Sequence, residues 1–194
     1  MKPPVERLFV AIDPSEAACE ALAAVSRGLA GARWTRREQL HVTLRFLGPV
    51  ELSAASRIAQ SLRAVDLPAF DVEAAGFGVF PSFRAPRILW TGLSPAAPLA
   101  RLHDAVEARI QDAVEAPAGS PVPADEKPFS PHLTIARLDG TRGREVREWI
   151  AGREPFSSGR WRVGSFALYA STLTPSGAIH RMIETYPLAD GPEE

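Results

Sequence analysis

The sequence predicts an α+β fold: a duplicated, bilobal unit in which two antiparallel-rich sheets flank a central cleft, with helices on the outside. Three observations lead there. A His-x-Thr pattern of strand character occurs twice, as Leu40-His41-Val42-Thr43-Leu44-Arg45-Phe46-Leu47-Gly48 and as Pro131-His132-Leu133-Thr134-Ile135-Ala136-Arg137-Leu138-Asp139-Gly140. The two histidines lie 91 positions apart, and segments of strand character beginning at Phe70 and Trp161 repeat that offset. Each half also runs helix, His-x-Thr strand, helix, then further strands.

Arg7 to Ile12 reads as a short buried strand. Asp13-Pro14 supplies a helix start, with Asp13 as N-cap and Pro14 at the first helical position. The helix runs to Leu29, punctuated by Gly28 and Gly31. Arg33 to Glu38 is a polar connection, and its basic run of Arg33, Arg36 and Arg37 reads as a solvated face. The first motif strand covers Gln39 to Leu47, closed by Gly48-Pro49. Ser53 to Val65 has helical spacing, with Leu52, Ile58, Leu62 and Val65 on one stripe. Phe70 to Ala74 is a strand, and Gly76 to Pro86 reads as an aromatic loop.

Arg87 to Leu93 is a strand. A helix follows from Ser94 to about Ala116, burying Leu99, Leu102, Val106 and Ile110. Pro117 to Pro128 holds four prolines and reads as a connecting loop. The second motif strand spans Ser130 to Leu138, and Gly143 to Ala151 is a short helix. Arg160 to Ala170 is one strand, Thr172 to Gly177 a turn, and Ala178 to Leu188 the last strand. The single bilobal domain covers 1–188, and the tail at 189–194 is expected to be disordered.

Composition narrows the function classes. A net charge of −1 rules out a molecule that gathers nucleic acid by overall charge, so any RNA contact must be local. The single cysteine, Cys19, permits no intramolecular disulfide and no thiolate cluster, and it reads as a small buried helix residue. No stretch approaches the roughly 18 apolar residues of a membrane span. A cytoplasmic monomer without membrane contact is the expectation.

The motifs carry the chemistry. Successive side chains on a strand point to opposite faces, so His41 and Thr43 share one face, as do His132 and Thr134. Two such strands facing each other place two imidazoles and two hydroxyls around one cleft. Imidazole titrates near neutral pH, so one ring acts as base and the other as acid. The threonines are donors for charge building on a substrate oxygen. Strict alternation puts Arg45 on the cleft face and turns Arg137 away, unless a bulge intervenes. Phe80, Phe83 and Phe129 are candidate stacking platforms for a base. Two histidines on separate strands, with no carboxylate in either motif, are too few ligands for a usual zinc site. No metal or cofactor is expected. His103 reads as a structural or surface residue, and His180 as a surface strand residue near the last turn.

These motifs resemble the two-histidine phosphoesterase superfamily, and most of all its RNA 2′,3′-cyclic phosphodiesterases (2′-5′ RNA ligase-like proteins). The resemblance spans Arg7 to Asp13, both motifs, Phe80-Pro81 before Arg87-Ile88-Leu89-Trp90, Phe129 to Arg137, and Phe166 to Ser171. It implies opening of an RNA 2′,3′-cyclic phosphate to a 2′-phosphate without metal, with His41 as proton donor and His132 as proton acceptor. It also implies an Arg following the second motif, here Arg137, in phosphate binding. RNA ends or a small cyclic-phosphate nucleotide, such as an ADP-ribose derivative, are the implied partners, with 2′-5′ ligation as the same site run in reverse. A nucleotide-binding module without turnover is the alternative of a different class. One departure is visible: His180 stands where the family often has Tyr after the Gly of the last turn.

Overall fold

Leu8, Val10 and Ile12 point into the main core, while Phe9 and Ala11 point the opposite way into a small cluster with Ala167 and Tyr169. This alternation defines the two faces of the sheet: a core face covered by helices, and a motif face. The computed structural model describes residues 4–114, 122, 128–174 and 177–190. In chain order the elements are β1 (Val5–Ile12), α1 (Glu16–Val25), β2 (Ala32–Trp34), a 3-10 turn at Arg37–Gln39, β3 (Val42–Glu51), α2 (Leu52–Leu62), β4 (Phe70–Phe80) and β5 (Ile88–Ser94). They continue as α3 (Ala96–Val114), β6 (His132–Leu138), α4 (Gly143–Ala151), β7 (Ser157–Val163), β8 (Ser165–Thr174) and β9 (Gly177–Pro187).

The mixed fold with antiparallel pairing is as expected, but the two sheets are continuous. Among the described residues they form one nine-stranded sheet in the order β7-β4-β5-β6-β3-β1-β8-β9, with β2 beside β6. Its halves meet at the pair of Val42 with Leu133. Beyond that point β3 leaves β6, and the short β2 takes up the vacated edge through Trp34–Ala136, Arg33–Arg137 and Ala32–Leu138. The last two strands of the chain complete the first half-sheet by pairing β8 with β1. Leu22, Ile58, Leu62, Leu99, Leu102 and Ile110 from the helices are fully buried against the core face. Truncating one of these to Ala costs about 2–5 kcal/mol, because the cavity adds to the lost transfer energy.

Several boundaries differ from the expectation. The cap of α1 is Ser15, whose hydroxyl accepts from the Ala18 N–H; Asp13 instead accepts the Tyr169 hydroxyl at 2.6 Å. The helix ends at Val25, where the Ser26 hydroxyl and N–H both bond the Leu22 carbonyl. Gly48-Pro49 does not close β3. Gly48 takes a φ of +71° at a bulge, and Pro49 is tolerated because β3 has β1 as its only strand neighbour there among the described residues. β4 runs through the glycine-rich stretch to Phe80. Gly76, with φ +64°, absorbs a bulge, and the Trp90 indole lies where a Cβ on Gly78 would be.

The single strand expected over Arg160 to Ala170 is two strands broken at Gly164. β7 pairs with β4 at one edge of the sheet, and β8 pairs with β1 in the other half. Ala189, expected in the tail, pairs with Pro68, and its carbonyl accepts the Ala69 N–H at 2.8 Å. Most of the Pro117–Pro128 loop lies outside the described residues, as does 191–194.

Candidate active site

His41 stands just before β3 and His132 opens β6. Each ring is fixed in the same way. His41 Nδ1 bonds the Gln39 carbonyl at 2.7 Å, and His132 Nδ1 bonds the Ser130 carbonyl at 2.8 Å. A carbonyl only accepts, so each Nδ1 carries a proton and each Nε2 is left for chemistry. Gln39 is itself tied down, since its side-chain amide donates to the Ala178 carbonyl of β9.

Register settles which side chains share a face. Thr43 is paired with Ala11, Thr134 with Trp90 and His132 with Gly92, all on the motif face. The Val42–Leu133 pair lies between His41 and Thr43 on one strand and between His132 and Thr134 on the other. Both motifs therefore converge on the point where the half-sheets meet. Neither threonine hydroxyl makes a hydrogen bond to a described residue, so both are available to a ligand.

A matching bulge follows each motif. β1 and β3 skip Leu44, since Val10 pairs with Arg45 and Ala11 with Thr43. β5 and β6 skip Ile135, since Leu89 pairs with Ala136 and Trp90 with Thr134. The extra residue inverts alternation beyond it. Arg45 consequently faces the core beside Val10. It is 6% exposed, and its guanidinium pairs with Glu107 of α3 and donates to the Phe46 carbonyl. The expected cleft position for Arg45 is thus corrected. The motif face receives Phe46 instead, paired with Phe9 and 62% exposed. In the second half the bulge turns Arg137 onto the motif face, where it is exposed and paired with Ile88.

Aromatic groups frame both histidines. Phe9 lies 4.9 Å from His41, and His180 meets His41 edge-on at 5.3 Å. Phe80 stands edge-on to His132 at 5.0 Å, with Trp90 behind it at 6.2 Å. Burial holds the His41 pKa below its ordinary value; the Gln39 carbonyl opposes this, and His180 and His132 add to it. Burial lowers His180 as well. The sequence reads His180 as a surface residue, yet its Nδ1 is buried without a partner among the described residues. The departure from Tyr in the family pattern is the signal that marks it.

The other candidates lie elsewhere. Phe129 stacks on His103 of α3 at 4.4 Å, away from the motif face. Phe83 carries the Arg147 guanidinium of α4 over its ring at 4.6 Å. Arg37 of the basic run pairs with Glu16. Cys19 is buried, as expected. Among the described residues, no three His, Cys, Asp or Glu side chains are grouped as a metal site needs, and no helix is long and apolar enough to cross a membrane.

The fold and the paired His-x-Thr strands place the chain among the two-histidine phosphoesterases. Within that class it belongs to the 2′-5′ RNA ligase superfamily, whose family model matches residues 13–174. The RNA 2′,3′-cyclic phosphodiesterase of Archaeoglobus fulgidus is 30% identical over 183 residues, covering 93% of this chain and 99% of that protein. The protein of that name from Thermotoga maritima is 30% identical over 185 residues, covering 91% and 92%. The crystal structure of TT0787 of Thermus thermophilus has a TM-score of 0.75 at 27% identity, covering 95% of this chain and 98% of that one. Apo E. coli LigT shares the fold with a TM-score of 0.75 at 22% identity, covering 96% and 99%.

Proposed function

We propose that the chain is an RNA 2′,3′-cyclic phosphodiesterase, opening a terminal cyclic phosphate to a 2′-phosphomonoester by general acid and base catalysis. The observation that carries this reading is the convergence of His41, Thr43, His132 and Thr134 on the Val42–Leu133 pair. The similarity to proteins named for that activity supports it.

The chemistry follows from the tautomers. Water attacks phosphorus and gives its proton to Nε2 of neutral His132. The P–O3′ bond breaks, and the 3′-oxygen takes the proton from Nε2 of protonated His41. The 2′-ester bond survives, so the product carries a 2′-phosphate. Thr43 and Thr134 donate to the non-bridging oxygens, where negative charge grows in the transition state. Arg137 supplies a positive charge on the same face, and Phe46, Phe80 and Trp90 offer apolar surface to the nucleoside. Ligation through a 2′-5′ bond is this same sequence with an RNA 5′-hydroxyl in place of water: the P–O5′ bond forms, the P–O3′ bond breaks, and the histidines keep their roles.

The reading is tested by incubating the protein, in chelator, with a short RNA ending in a 2′,3′-cyclic phosphate and reading the product by phosphorus NMR. A 2′-phosphate end is expected. A 3′-phosphate end contradicts the role given to His41. Nucleotide binding without turnover favours a binding module, and turnover confined to a cyclic phosphate on an ADP-ribose derivative moves the substrate.

A further inference from the structure

We propose that Arg33 and Arg137 form a second phosphate site, which takes the phosphodiester one nucleotide upstream of the cyclic end. This rests on the reading of the chain as an RNA cyclic phosphodiesterase and specifies its substrate as an oligonucleotide rather than a mononucleotide.

The argument starts from register. Arg33 of β2 pairs directly with Arg137 of β6. Paired residues of an antiparallel ladder share a face, with Cβ atoms about 4.5–5.5 Å apart. That face is the motif face, and two observations fix it. The β6 bulge sets Arg137 beside Ile88, which lies on the side of Trp90 and Gly92. The neighbour of Arg33, Trp34, points the other way and meets Trp149 of α4 at 5.6 Å on the core face. The two arginines thus leave the sheet from directly paired positions on one face, in the wedge where β3 leaves β6.

Like charges directly opposed on a sheet destabilise it. Some arginines of this chain are matched by a carboxylate, as Arg37 is by Glu16, Arg63 by Glu184 and Arg181 by Glu6. Arg33 and Arg137 are both exposed, and neither makes an ion pair or hydrogen bond with a described residue. A bound anion resolves the repulsion. Two guanidinium forks match the tetrahedral oxygens of a phosphodiester, each able to bond in bidentate fashion. Position selects which phosphate. With the bulge discounted, Arg137 lies two strand steps from Thr134, or about 7 Å. That spacing is on the scale of one nucleotide of backbone, which matches the Arg33–Arg137 pair to the phosphate next to the one at Thr134. The net charge of −1 agrees with recognition concentrated at one place.

The test compares kcat/KM for a nucleoside 2′,3′-cyclic phosphate with that for a dinucleotide ending in the same nucleoside cyclic phosphate. Wild type and Arg33→Met are measured over a salt series, beside their melting temperatures. We expect wild type to prefer the dinucleotide by tenfold or more, and Arg33→Met to cut that ratio at least fivefold. The slope of log kcat/KM against log salt for the dinucleotide should flatten by about 0.7, the value for one phosphate contact on a single strand. Melting should not fall, since a repulsion is removed. Equal losses on both substrates, or no loss on either, overturn the site. Wild type without a dinucleotide preference overturns it too. Turnover of neither substrate overturns the functional reading itself, which separates the two failures.

Discussion

Val42 and Leu133 pair where the two halves of the sheet join, and each is the middle residue of a His-x-Thr motif. The geometry of the candidate site is therefore set at the contact where the half-sheets join. Both residues are buried, so the site is built on strands rather than on loops.

The first prediction concerns the hydroxyls. Thr43→Val and Thr134→Val keep shape and remove a donor. Each should lower kcat by on the order of a hundredfold, with melting unchanged. Stopped assays with a cyclic-phosphate RNA check this. A loss confined to KM would place the threonines in ground-state binding instead.

The second separates two arginines that alternation misassigns. Arg45→Met breaks the ion pair with Glu107 and leaves that carboxylate its hydrogen bond from Gln111, so it should destabilise the fold by about 2 kcal/mol while KM at low temperature stays near wild type. Arg137→Met should leave melting near wild type and raise KM about tenfold, as loss of a charge-assisted phosphate contact does. Denaturant melts and steady-state kinetics on both variants decide it. A raised KM for Arg45→Met with unchanged stability would return that residue to the cleft.

How much of this is legible in the sequence follows from such cases. The motif pair is readable, because His and Thr two apart on a strand must share a face. The bounds of α4 are legible as well. The bulges at Leu44 and Ile135 are not, since an ordinary aliphatic residue does not announce a skipped ladder position. One such residue exchanges Arg45 for Phe46 on the motif face, and the other brings Arg137 onto it. Gly164 gives no sign that it separates strands bound for opposite halves. Which neighbour a strand chooses is a tertiary matter, whereas its face pattern is local.

The third prediction is a pH dependence with a definite sign. In the proposed mechanism His41 acts protonated, and its pKa in the free protein is held below the ordinary value by burial first, then by His180 and His132. On the alkaline side kcat/KM should therefore fall as the protonated fraction of His41 shrinks. A bound phosphodiester anion favours the imidazolium, so the alkaline limb of kcat should lie at higher pH than that of kcat/KM. Profiles of both parameters check this, and the reverse order contradicts His41 as donor.

The fourth uses His180. Its imidazole disfavours charge on His41 from an edge-on contact at 5.3 Å. His180→Tyr removes that imidazole, so kcat/KM on the alkaline side should rise relative to wild type, because more His41 stays protonated there. An unmoved limb with lower kcat would give His180 a packing role alone.

The most direct test of the two-histidine account is single turnover of a cyclic-phosphate RNA by His41→Ala and His132→Ala, in chelator at about pH 6.5, near the ordinary imidazole pKa. The account predicts that wild type forms a 2′-phosphate end and that each variant is slowed by about 10²–10⁴-fold, the usual contribution of one general acid or base. Either variant turning over at the wild-type rate would contradict it.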